Sequence, residues 1–209
     1  EYAKNDPRII VIHKENGGQS SARNAALDIM TGDYVGFVDS DDWIEPNMYE
    51  HLYNLILKNN AQISVCGLQC DYDDGKIVYF NDQYPVHKGI EIFSKIDALR
   101  ELTIAKKITN SPCDKLFSRY IFEDIRMREG TVYEDFEIMP SCMEKAEIIV
   151  YDPLPLYHYI MTEESTTRGA IQRKRFIEAE VSRNIIEQYK SNYPDLYYYV
   201  LARHIEICL

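Results

Sequence analysis

Along the N-terminal third of the chain, apolar and polar positions alternate between strand-length and helix-length patterns. "RIIVIH" (8–13) is an unbroken apolar run that predicts a short buried strand. "ENGGQS" after it is loop chemistry, with two glycines free to take positive φ. Ala22, Ala25, Ala26 and Ile29 then recur at helical spacing, with Ser20 or Ser21 as the expected cap and Gly32 as the stop. "YVGFVD" (34–39) predicts a second strand. "NMYEHLYNLILKNN" (47–60), entered through Pro46, predicts a second amphipathic helix, and "AQISVCGL" (61–68) a third strand. Strand, helix, strand, helix, strand is the order of an α/β fold whose sheet has parallel members.

From residue 71 the texture changes. "DYDDGKIVYFNDQYPVHKG" predicts an irregular hairpin turning at Asp74-Gly75. Helices are expected near 89–106, 113–122 and 134–145, and "EIIVYDPLPLYHY" as two short strands broken by prolines. Residues 170–209 read as mostly helical.

Composition narrows the class. The 209 residues, 45% hydrophobic and 27% charged, suit one compact globular domain or a domain with a helical appendage. A net charge of -11 opposes general nucleic-acid binding, which needs clustered Lys and Arg. An anionic ligand therefore requires a local cation or a metal. No stretch approaches the roughly 18–20 apolar residues of a membrane span, and the opening residues lack a signal-peptide pattern, so a cytoplasmic location is expected. Five cysteines, an odd number without CxxC spacing, read as free thiols.

"FVDSDDWIEP" (37–46) gathers Asp39, Asp41 and Asp42 at the end of an apolar run, and such carboxylates repel one another unless a cation, protons or solvent intervenes. A solvated turn is the plain reading. An EF-hand frame places Asp39, Asp41, Asn47 and Glu50 correctly, but Ile44 stands where the loop needs glycine. An aspartate-nucleophile phosphatase also carries a D-x-D at a strand end, although with a small residue where Trp43 stands. The third reading is a hard divalent ion, Mg²⁺ or Mn²⁺, held by Asp39 and Asp41 and gripping a diphosphate.

"HKENGGQSSARNAALDIMTGDYVGFVDSDDW" (13–43) resembles the signature block of family 2 glycosyltransferases, which have the GT-A fold. "CDKLFSRYIFEDIRMREGTVYEDFEIMPSCMEKAEIIVYDPLPLYHY" (113–159) is similar to the second half of bacterial members that build capsular, lipopolysaccharide or exopolysaccharide glycans. The resemblance implies a GT-A-like, Rossmann-like α/β core over 1–168, with a mixed, mostly parallel sheet flanked by helices, and a C-terminal helical segment over 169–209. It also implies metal-dependent, inverting transfer from a nucleotide sugar, with UDP as the expected nucleotide, to a glycan or lipid-linked acceptor.

Carried over residue by residue, the resemblance makes Asp41 and Asp39 the metal ligands, with Asp42 a further candidate, and Asp135 the catalytic base with Glu134 its neighbour. Arg23, Gly18, Ser20, Asp39 and Lys115 become donor-binding residues. The plain alternatives are a helix-surface ion pair for Arg23, helix N-terminal acids at 134 and 135, and a surface lysine at 115.

Departures from the pattern are also visible. The family's first βα units, about 60 residues at about 30 per step, are expected to be missing. Cys113 and Asp114 replace an aromatic residue and Asn, and Ile160 and Thr162 stand where arginines are expected, with Arg168 a substitute closing cation. Arg173, Lys174 and Arg175 with Tyr197–Tyr199 read as a solvated face and a packed aromatic seam, the alternative being peripheral contact with the inner face of the cell membrane. A non-catalytic sugar- or nucleotide-binding domain of the same fold is the alternative function.

Overall fold

The computed structural model describes residues 1–80, 89–131, 133–161 and 171–208; of residues 171–176, 178 and 206–208 it describes the backbone. The apolar run after the second helix forms β3 (Ile63–Tyr72), the axis of the sheet, with Ile63, Val65 and Cys66 buried. Around it lie β1 (Tyr34–Gly36), β2 (Trp43–Ile44), β4 (Ile77–Tyr79), β5 (Glu91–Ser94), β6 (Lys115–Ser118) and β7 (Ile148–Met161). The order is β1-β6-β3-β7-β2, with β4 paired to β3 and β5 to β7.

The sheet is mixed, as expected, but less parallel than expected. Among the described residues β3 and β7 form the one parallel pair, and the remaining pairings are antiparallel. The antiparallel β6 separates β1 from β3, which point the same way. Residues 113–122 were expected to be helical; instead Lys115–Ser118 is an interior strand followed by a 3-10 turn, Arg119–Phe122. Short apolar runs fit either period, and here pairing on both sides decides for the strand. The expected helix near 89–106 likewise divides into β5 and α3 (Lys95–Ile104), where Ser94 Oγ accepts from the Asp97 N–H.

Two prolines were expected to break the 148–161 region into two strands. β7 instead continues through a bulge: Cys66 pairs with Asp152 and Gly67 with Pro155, which leaves Pro153 and Leu154 as extra residues. Gly67 permits this, because a Cβ there would lie 2.3 Å from the Pro153 carbonyl oxygen.

Residues 8–13 join no strand. Ile9, Ile10, Val11 and Ile12 are exposed, at 43%, 71%, 56% and 41%, and no strand among the described residues pairs with them. An apolar run becomes a strand only when its N–H and C=O groups find a ladder.

Helices α1 (Gly18–Ile29), α2 (Met48–Asn59) and α4 (Glu134–Glu144) stand near their expected places. α1 starts at Gly18, so Ser20 and Ser21 lie in its first turn rather than at its cap. The C-terminal helices α5 (Ile171–Asn192) and α6 (Tyr197–Cys208) bury Val181, Ile185, Tyr189 and Val200, with Leu196 from the turn between them, in the same cluster as Leu99, Leu102 and Met139. The tyrosine seam is only partly packed: Tyr197 lies against this core, while Tyr198 and Tyr199 are 73% and 46% exposed. The side chains of Arg173, Lys174 and Arg175, and all of Thr162 and Arg168, lie outside the described residues.

Candidate functional site

The site begins where β1 ends. Phe37 is buried edge-on against Phe117 and Phe122, and this fixes the point from which residues 38–42 leave the sheet. Asp42 N–H donates to the Asp39 carbonyl at 3.2 Å, closing DSDD as a turn.

α1 supplies the cation. Gln19 and Arg23, one helical turn apart, both reach Asp39 Oδ1, at 3.2 and 2.5 Å. The other guanidinium nitrogen of Arg23 donates to Glu134 Oε1 at 3.1 Å. One planar fork therefore joins the D-x-D turn to the start of α4. Burial works against the Arg23 charge, but Asp39, with smaller help from Cys113 and Glu134, raises its pKa above the ordinary value. Asn24 locks the approach to α4 from the same helix: its side-chain amide donates to Met127 C=O and accepts from Met127 N–H, at 2.8 and 2.9 Å.

The entry to α4 is strained. Tyr133, its N-cap, has φ 66°, a left-handed conformation costly for a bulky residue. Glu134 is buried. The Asp135 carboxyl is pushed up to about 6, chiefly by burial, with Glu134 adding and Arg23 opposing, while its Oδ1 accepts from Phe136 N–H at 2.8 Å.

Gly18, Gln19, Arg23, Asp39, Asp41 and Glu134 line one cleft of about 1020 Å³ between α1 and the β1 end of the sheet. Gly18 has φ +81° and opens α1 with its N–H bonded to Asn16 Oδ1 at 3.1 Å. Its helix N-terminus faces the cleft with positive dipole character. Ser20, expected to bind donor, is instead 3% exposed and does not line the cleft.

Lys115 also departs from expectation. It is 0% exposed, and its Nζ is occupied by Asp114 Oδ1 at 2.6 Å, Ser111 O at 2.6 Å and Thr109 O at 2.9 Å. It is a core ion pair, neither a donor contact nor a surface lysine. Because that region is a central strand, the side chain points into the sheet's packing.

The three aspartates divide. Asp41 is exposed in the cleft. Asp39 keeps Oδ2 without a hydrogen-bond partner among the described residues. Asp42, the third metal candidate, is fully used elsewhere: Oδ2 accepts from Tyr157 Oη at 2.5 Å and Oδ1 from Ile160 N–H at 2.9 Å. Burial raises its pKa, opposed by those two bonds.

Among the described residues no group of three His, Cys, Asp or Glu side chains forms a metal cage. Two carboxylate oxygens on one turn nevertheless suit Mg²⁺ or Mn²⁺, since such ions bind one or two carboxylates and complete their shell with phosphate and water. Gln19, Asn24 and Tyr157 carry no role in the sequence reading, although Asn24 ends Ser-x-Ala-Arg-Asn and Tyr157 stands in "LYHY"; their partners lie 20 to 118 positions away.

The model of glycosyl transferase family 2 matches residues 1–126. A glycosyltransferase, GlyA, of Streptococcus pneumoniae is 34% identical over 173 residues, 80% of this chain and 25% of that protein. GlyG of the same organism is 27% identical over 205 residues, 93% of this chain and 64% of that protein. The chain thus spans less than two thirds of either relative. In fold it resembles Staphylococcus aureus TarS 1–349, with TM-score 0.65, 20% identity and coverage of 91% of this chain and 52% of that one. TarS 1–349 has also been crystallised with UDP-GlcNAc, at TM-score 0.62, 18% identity and coverage of 84% and 49%. The sequence match and the mixed sheet with its flanking helices agree: this chain belongs to glycosyl transferase family 2.

Proposed function

We propose that this chain carries the donor-phosphate and catalytic residues of a metal-dependent, inverting glycosyltransferase that uses a UDP-sugar and a glycan or lipid-linked acceptor in surface polysaccharide synthesis. The observation that carries the reading is Arg23 bonded to both Asp39 and Glu134, which brings the D-x-D turn and the start of α4 to one cleft. Support for the nucleotide comes from the TarS complex with UDP-GlcNAc, and for the pathway class from GgaB, a minor teichoic acid biosynthesis protein of Bacillus subtilis, 24% identical over 202 residues.

Asp41 and Asp39 Oδ2 would hold Mg²⁺ or Mn²⁺, which when bound supplies Lewis-acid stabilisation of the departing diphosphate. The α1 N-terminus and Arg23 add fixed positive potential on the same side. Asp135 takes the proton of the acceptor hydroxyl as that oxygen attacks the anomeric carbon from the face opposite the leaving group. A carboxyl near 6 is ionised at neutral pH yet basic enough for this transfer. Glu134, tied to Arg23, fixes the helix start on which Asp135 sits.

The test is a calorimetric titration of UDP, with and without Mn²⁺, into the protein and its Asp41→Ala variant. Mn²⁺-dependent binding that the variant loses is expected. Equal binding by both proteins would overturn the metal assignment.

A further inference from the structure

Among the buried hydroxyls given no role above, that of Tyr157 meets the DSDD turn. Tyr157, on β7, is 1% exposed, and its Oη donates to Asp42 Oδ2 at 2.5 Å while accepting the Asp39 backbone N–H at 3.2 Å. Both hydrogen-bonding functions of the phenol therefore serve the DSDD turn.

β7 holds the same segment at neighbouring positions. Glu45 N–H donates to Leu156 C=O at 2.9 Å, Ile160 N–H to Asp42 Oδ1 at 2.9 Å, and Trp43 pairs with His158, their rings stacked 3.5 Å apart at 14°. Of these contacts, Tyr157 alone reaches both the first and the last aspartate of the turn. Asp41, between them, has no such tether, so its direction is inherited from the two residues Tyr157 holds.

We propose that Tyr157 is a positioning residue: its hydroxyl, acting through the Asp39 amide and the Asp42 carboxylate, sets the direction in which Asp39 and Asp41 present their oxygens to the cleft. The proposal deepens, and rests on, the reading of Asp39 and Asp41 as the divalent-cation pair. It makes Asp42 an anchor of the turn rather than a ligand. The sensitivity is geometric, because Mg²⁺–oxygen distances near 2.1 Å leave little room for a turn that drifts. A phenylalanine at 157 would keep the ring's packing and release both bonds, leaving buried polar groups to be satisfied by rearrangement of the turn.

Two readouts on Tyr157→Phe test this. Amide hydrogen exchange in the metal-free protein is expected to quicken within residues 37–45 while the rest of the sheet stays protected. Calorimetry is expected to show UDP affinity in Mn²⁺ falling about ten-fold, with UDP affinity in the absence of metal unchanged. General loosening of the fold would weaken both arms alike, so that split separates positioning from a merely structural role. If Tyr157→Phe binds UDP in Mn²⁺ as the wild type does, or loses both arms equally, positioning by Tyr157 is overturned while the function stands. If the wild type shows no Mn²⁺ dependence, the metal reading itself is overturned and this proposal with it. Should Tyr157→Phe fail to fold, exchange in metal-free Asp42→Asn carries the test: faster exchange over 37–45 supports the clamp, and an unchanged rate refutes it.

Discussion

Arg23 Nη2 lies 2.5 Å from Asp39 Oδ1, and the same guanidinium reaches Glu134 Oε1 at 3.1 Å, so a helix, a strand-end turn and a second helix meet on one cation. The Arg23 and Glu134 side chains are 11% and 9% exposed and Asp39 28%, so the Arg23–Glu134 arm is buried while the Asp39 arm opens to the cleft.

Arg23→Ala leaves two carboxylates facing each other without their cation. A stability loss of about 3 kcal/mol is expected, since breaking a buried pair strands its partner. Arg23→Lys should recover only part of it, because an ammonium cannot span both acids as the fork does. Urea denaturation of the three proteins checks this; equal midpoints would contradict it.

Asp135→Asn should stabilise the protein at neutral pH while abolishing transfer. Folding raises this carboxyl from the ordinary 3.8 to about 6, so the folded state holds the proton more tightly than the unfolded chain. That contribution is complete below about 4 and is lost as pH rises through about 6. Asparagine mimics the protonated acid, so the variant should exceed wild type by about 1–3 kcal/mol above pH 7 and match it near pH 3.5. Denaturation at the two pH values decides it; a variant that is less stable at both would refute the burial argument.

The same carboxyl sets a pH profile for the reaction. In its proposed role as base Asp135 must be ionised, so kcat/KM should fall with unit slope as pH drops below about 6 and stay level above it. Steady-state rates of UDP release across pH 4.5–8 test this, and a rate that rises on acidification would exclude Asp135 as the base.

Lys115→Ala should lower stability by about 3–5 kcal/mol through the stranded Asp114, without changing UDP affinity in the folded fraction. Lys115→Met, with Asp114→Asn, should recover much of the loss. Reduced UDP affinity in a folded Lys115 variant would restore the donor-binding role that its burial denies.

Local patterns were the legible part of the fold. α2, β3 and the hairpin turn at Asp74-Gly75 follow from periodicity and turn chemistry within a few residues. What the chain does not display locally was misread. "KLF" at 115–117 fits a strand or a helix until β1 and β3 flank it, and "RIIVIH" reads as a strand although no strand among the described residues pairs with it. Prolines 153 and 155 signal a break, but their bulge depends on Gly67, more than eighty residues earlier. In the site, Arg23, Asp39, Asp41 and Glu134 were found from the motif and do share a cleft. Lys115 came from the same motif and lies in the core, because motif spacing says nothing about which way a strand residue points. Tyr157 and Asn24 stand inside the quoted motifs, but their partners lie 118 and 103 positions away, and local pattern does not reveal those pairings.

The central claim, that Asp135 and the Asp39–Asp41 turn act together on a UDP-sugar, is tested most directly by UDP release from a panel of UDP-sugars in Mn²⁺, comparing wild type with Asp135→Asn and Asp41→Ala. Release by wild type with at least one sugar is expected, with loss of turnover but retained Mn²⁺-dependent UDP binding in Asp135→Asn, and loss of both in Asp41→Ala. Undiminished release by Asp135→Asn would contradict it.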